Sequence, residues 1–184
     1  MASMYEYASA EDMKENLTAA YVLDYVLQTN DLKMDYQGRL SSGGGFYMSA
    51  ISGLDTSNIA VPEELYAKLE ENGYYVEEYV YEEGTLGEFD ITWGSGWMYA
   101  INDVFPNVGF CDYIPQDGDV VRVQFTLAYG QDIGGGEAMS DEGGRDFYPR
   151  VNKDELTRKM AAINTPGKNL YLINNTRIST YKNA

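Results

Sequence analysis

Histidine is absent from the 184-residue chain, and cysteine occurs once, at Cys111. Those two absences remove Ser–His and Cys–His catalysis, His- or Cys-ligated metal sites and an internal disulfide. Basic residues are scarce as well: 13 Lys and Arg stand against 29 Asp and Glu, a formal charge of −16. A surface this acidic repels phosphate backbones and anionic lipid, so neither nucleic acid nor a bare membrane is an expected partner. Apolar runs extend only a handful of residues, too short for direct membrane insertion. The N-terminus, Met1-Ala-Ser-Met-Tyr-Glu-Tyr, is acidic rather than a basic-then-apolar leader. What is present is the composition of a folded chain, 44% hydrophobic and 23% charged, of about one domain's length. No acid, base and nucleophile converge in it, so catalytic residues and a cofactor are not expected.

Charge divides the chain. Residues 1–144 hold 26 acids and 5 bases, whereas residues 145–184 hold 3 acids and 8 bases. Near that boundary, Ile133-Gly-Gly-Gly-Glu-Ala-Met-Ser-Asp-Glu-Gly-Gly-Arg sustains neither a helical nor a strand period. The expected organisation is a domain over residues 5–136, a glycine-rich linker or loop over 137–151, and a helical tail over 152–184. In the tail, Asn152 caps a segment with Leu156, Met160 and Ile163 on one face, stopped at Pro166-Gly167.

The fold class expected is α+β, a mostly antiparallel sheet with a packed helix. Ala19, Val22, Leu23, Val26 and Leu27 form a helical stripe behind a Thr18 N-cap. Phe46 to Gly53 reads as a strand, Pro62 to Asn72 as a second helix stopped by Gly73, and Tyr74 to Tyr81 as a further strand. Trp97 to Ile101 alternates into an Asn102-Asp103 turn, with Val104-Phe105 as the return strand. After the Pro115-Gln-Asp-Gly-Asp turn, Val121, Val123 and Phe125 share one face of a last strand and Arg122 and Gln124 the other.

Five ordered motifs carry a family resemblance: Leu86-Gly-Glu-Phe-Asp, Gly94-Ser-Gly-Trp-Met-Tyr-Ala-Ile-Asn, Phe105-Pro-Asn-Val-Gly, Tyr113-Ile-Pro-Gln-Asp-Gly-Asp-Val-Val and Gly130-Gln-Asp-Ile-Gly. Dense over residues 86–136, they resemble the transcobalamin and intrinsic-factor C-terminal-like domain, a β-grasp-type ligand-binding module of Gram-positive bacterial surface proteins. One departure is Asp103, where relatives commonly carry glycine after the hairpin asparagine. The resemblance implies a non-catalytic extracellular or cell-surface-anchored module for binding or adhesion, with cobalamin, another corrinoid or another small ligand. It also implies further modules of the same longer chain, of which the tail resembles the start. A structural spacer or protein-interaction domain with no small-molecule ligand is the alternative, since a fold does not dictate a function.

The candidate ligand site is Trp97, Tyr99, Asn102, Phe105 and Asn107, a short span that combines aromatic faces, two amide side chains and turn backbone. Against it stands packing, because Trp97 and Tyr99 alternate with Met98 and Ala100 and one pair must face the core. Phe46, Tyr47, Trp93 and Phe105 can line a shallow groove for a planar or glycan ligand, although 17 tyrosines make chance clustering easy. Asp132, Glu137, Asp141, Glu142 and Asp146 carry the oxygens a calcium ion takes but lack EF-hand spacing, so no metal site is expected. Glu77-Glu78 and Glu82-Glu83 read as exposed charge, and Cys111 as a small hydrophobe beside the Tyr113 turn.

Overall fold

Helix α1, Ala19–Thr29, begins where Thr18 accepts a hydrogen bond from the Tyr21 N–H at 3.4 Å. The Thr18 hydroxyl also donates to the Leu40 carbonyl at 2.5 Å, and the Ala19 and Ala20 N–H groups donate to the Tyr113 and Phe110 carbonyls. Loops distant in sequence thus satisfy the open donors of the first turn. The computed structural model describes residues 17–57, 59–76, 82–138 and 146–147. The 152–184 tail and most of the 137–151 segment lie outside these residues.

Strands β1 (Lys33–Gln37), β2 (Tyr47–Ser52) and β3 (Thr85–Gly87) form one antiparallel sheet in that order, with a register shift between Asp35 and Tyr36. Strands β4 (Gly96–Ile101) and β5 (Val121–Thr126) form a second antiparallel pair, with Trp97 opposite Phe125, Tyr99 opposite Val123 and Ile101 opposite Val121. Helix α2, Glu63–Glu71, follows Pro62 and ends at Asn72 and Gly73. Gly73 takes φ +83°, and the Gly73 and Tyr74 N–H groups return to the Glu70 and Leu69 carbonyls, a left-handed stop that glycine accommodates without a Cβ clash.

The α+β class and the antiparallel pairing are as the periodicities indicate, but four details differ. The β strands divide into two sheets. Val104 makes only a single bridge to Ile101, and β5 takes the place expected of Val104-Phe105 beside β4. Pro106 explains the short return, because it supplies no N–H and restricts Phe105 before it. Residues 74–76 of the expected Tyr74 to Tyr81 strand are not in a strand, and 77–81 lie outside the described residues. Conversely, β1 and β3 were not expected. Lys33-Met-Asp-Tyr-Gln buries only Met34 fully, and Thr85-Leu-Gly is three residues long, so neither shows a readable period.

Two apolar clusters fill the interior. Leu23, Leu27, Met34, Ile51, Ile101, Phe110, Cys111 and Val121 make one, under α1. Leu69, Tyr74, Leu86, Ile91, Leu127 and Ala128 make the other, under α2. Leu86 is fully enclosed at the strand that carries β2 into the second cluster. Leu86→Ala is expected to lower the unfolding free energy by about 2–5 kcal/mol, read from urea denaturation. A loss below about 1 kcal/mol would place Leu86 outside the supporting core.

Candidate functional site

The β4–β5 pair sends Trp97 and Tyr99 to one face, and the structure occupies their polar atoms. The Trp97 indole N–H donates to the Leu86 carbonyl at 2.9 Å, and its ring meets Phe125 edge-on at 5.1 Å. The Tyr99 hydroxyl donates to the Val108 carbonyl at 2.7 Å while its ring packs 4.3 Å from Phe110. Burial, aided by the nearby Tyr113, Asp112 and Cys111, pushes the Tyr99 phenol up to about 12. Asn102 sits in the turn at φ +50° and is exposed. Its amide donates to Asp119 at 2.8 Å and its carbonyl oxygen accepts from the Val120 N–H at 3.0 Å. Phe105 lies half-buried beside the 130–135 loop, where a Cβ on Gly135 would stand 2.9 Å from its ring. Asn107 is exposed in the loop that follows. The hairpin therefore gathers Trp97 and Tyr99 on one face, while Phe105 meets a loop that also covers Met98 on the other.

Asp103 adopts φ +68°, and its carboxylate pairs with Arg122 at 2.5 Å. That pair clasps β5 to the turn. Asp119 holds the same end of the strand pair by accepting from the Gln116 N–H, the Tyr113 hydroxyl and Asn102. The Gln116 backbone donor first, then the Tyr113 hydroxyl, hold its carboxyl below the ordinary 3.8.

The second aromatic assembly lies on the loops around Gly94. Phe46, Tyr47, Trp93 and Phe105 do not form one groove: Phe46 packs between Tyr36 and Phe110, and Trp93 stands apart from it with Tyr74 and Tyr129. Trp93 is 54% exposed, yet it is fixed on three sides. Its ring stacks on Tyr74 at 4.6 Å and 17°, its indole N–H donates to the Gly73 carbonyl at 2.9 Å, and Tyr129 meets it edge-on at 5.4 Å. Gly94 lets the rings close, because a Cβ there would stand 2.5 Å from the Tyr74 ring. Tyr74 is buried, its hydroxyl accepts from the Gln131 amide at 2.6 Å, and burial raises its phenol above the ordinary 10.0. Phe147 completes the underside, with its ring 6.1 Å from Tyr74 and its N–H donating to the Gln131 carbonyl.

Two aromatic residues, Phe89 at φ +64° and Tyr129 of this assembly at φ +48°, hold backbone conformations uncommon for such side chains. Phe89 is exposed, and next to it Glu88 accepts a hydrogen bond from the exposed Tyr47 hydroxyl. Burial first, and then Glu88, push the Tyr47 phenol up to about 12. Tyr74, Phe89 and Tyr129 were not singled out from the sequence. The available signal was an aromatic followed by glycine at Trp93-Gly94 and Tyr129-Gly130, a pairing that permits close approach of rings and backbone.

Of the acids considered for calcium, Asp132 accepts from the Thr126 hydroxyl and, at 2.8 Å, from the Leu127 N–H; Asp146 accepts from the Gly136 N–H at 3.0 Å. Among the described residues, no group of three or more acids or cysteines is arranged to hold a metal ion. No helix among them is long and apolar enough to cross a membrane.

Residues 60–127 match a protein family described as Domain of unknown function (DUF4430), a span that runs from just before α2 to just after β5. Comparison with curated proteins and with solved structures found no match.

Asp119 yields a test of the hairpin clasp. Its folded carboxyl lies below the unfolded value of 3.8, so its contribution is present above that value and is lost as pH falls through the folded one. Denaturation measured between about pH 5 and pH 2 should show wild-type stability falling more steeply than that of Asp119→Asn. Parallel profiles would mean that Asp119 does not link the turn to β5.

Proposed function

We propose that the chain is a non-catalytic ligand-binding or adhesion module that acts outside the cytoplasm. The observation that carries this reading is the Trp93 platform. More than half of Trp93 is open to solvent while a stacked ring, an edge-on ring and a hydrogen bond hold it still. A ring held in advance loses little freedom on binding, which is how small sites gain affinity. The DUF4430 match is compatible with the transcobalamin-like resemblance, and the resemblance supports a corrinoid or another small ligand, a Gram-positive source and a surface location.

A spacer or protein-interaction domain is the second reading. It is favoured by Trp97, Tyr99 and Asn102, whose polar atoms are already used within the chain.

A thermal-shift series on the full chain, with cobalamin, cobinamide and neutral oligosaccharides, separates the two. Ligand that binds only the native state raises the melting temperature, by an amount that grows with concentration. The binding reading expects such a rise for at least one of them and its loss in Trp93→Ala. A melting temperature unmoved by every ligand up to about 100-fold above a micromolar Kd would leave the spacer.

A further inference from the structure

We propose that the Trp93 platform takes an organic cation, with a quaternary ammonium group as the representative ligand. The inference deepens the binding reading above and rests on it. The face of an indole is the negative part of its quadrupole and the N–H edge the positive part. Here the N–H is taken up by the Gly73 carbonyl, while Trp93 stays 54% exposed, which leaves ring surface rather than the N–H for a ligand to meet.

The backbone beneath adds the same sign. Gly73 closes α2, and the Asn72, Gly73 and Tyr74 N–H groups fold back onto the Lys68, Leu69 and Glu70 carbonyls. This is the end of a helix where the macrodipole is negative and a cation is favoured. Glu70 is exposed in that last turn, where Glu71 is paired with Lys68.

Among the described residues, competing positive charge is sparse. The bases among the described residues are Lys33, Arg39, Lys68 and Arg122, and three of them are paired with acids: Lys33 with Asp35, Lys68 with Glu71 and Arg122 with Asp103. The chain as a whole carries −16, which draws cations toward the surface and repels anions. An apolar neutral ligand would find the same indole face but gain nothing from this field. A cation with a soft, weakly hydrated shell gains from both.

The test uses the full chain labelled with 15N and three probes: choline, its neutral isostere 3,3-dimethylbutan-1-ol, and methyl glucoside. The indole N–H of Trp93 and the amides of Gly94 and Tyr129 report on the platform, and Trp97 serves as the internal reference. Choline is expected to shift the Trp93 group saturably, with the isostere weaker by about threefold or more. The choline response should weaken as salt rises from about 0.01 M to 0.5 M. Trp93→Leu should abolish it, and Trp93→Phe, which keeps a ring on Tyr74, should weaken it without unfolding the chain. Equal binding of choline and its isostere, or a response to methyl glucoside alone, overturns the cation while leaving a binding platform. No response at Trp93 to any probe overturns the cation and the platform together.

Discussion

Trp97 is the constraint on which the rest of the structure depends. Its ring packs against both apolar clusters, its indole N–H is bonded to β3 at the Leu86 carbonyl, and its strand partner Phe125 meets it edge-on. The two sheets are not joined through a common ladder, so side chains connect them: Met34 and Ile51 meet Ile101 and Val121 in the first cluster, and Trp97 packs against both clusters. Burying that ring stabilises the fold by an amount on the order of a few kcal/mol. A residue committed to holding two sheets together is a poor candidate for one that opens to a ligand. Trp93, four positions earlier, has its N–H bonded as well but remains 54% exposed.

A chain with many acids and few bases can place only a few of its carboxylates in ion pairs, and several of the others are bonded to backbone amides. Asp55, Asp90, Asp112, Asp119, Asp132 and Asp146 each accept from a main-chain N–H in a turn or loop. The same bonds supply partners for donors that loops would otherwise leave open. Asp112 shows the reach of the device: Ser42 and Gly43, nearly seventy residues away, bond to it and fasten the 39–45 loop beside the start of α1. Acidity therefore fixes the loops that present the aromatic rings, in addition to charging the surface.

Much of the fold was legible where a period is long enough to read. The α1 stripe with its Thr18 cap, the α2 segment closed by Gly73, and the alternation of β2, β4 and β5 all correspond to observed elements. Short strands such as β3 are too brief for a period, and the split into two sheets depends on partners far apart in sequence. The site was less legible for the same reason. Alternation tells that Trp97 and Tyr99 share a face but not what covers it. Whether Trp93 is exposed depends on Gly73 and Tyr74, about twenty residues upstream, and on Tyr129, thirty-six residues downstream.

Hydrogen exchange of the two indole N–H groups tests the contrast between the tryptophans most directly. Trp97, bonded to Leu86 between the clusters, should exchange only through openings close to global unfolding, whereas Trp93, bonded to Gly73 at the surface, should exchange through local opening and faster. Exchange of Trp97 as fast as that of Trp93 would contradict the account, because a joint between two sheets cannot open without releasing both.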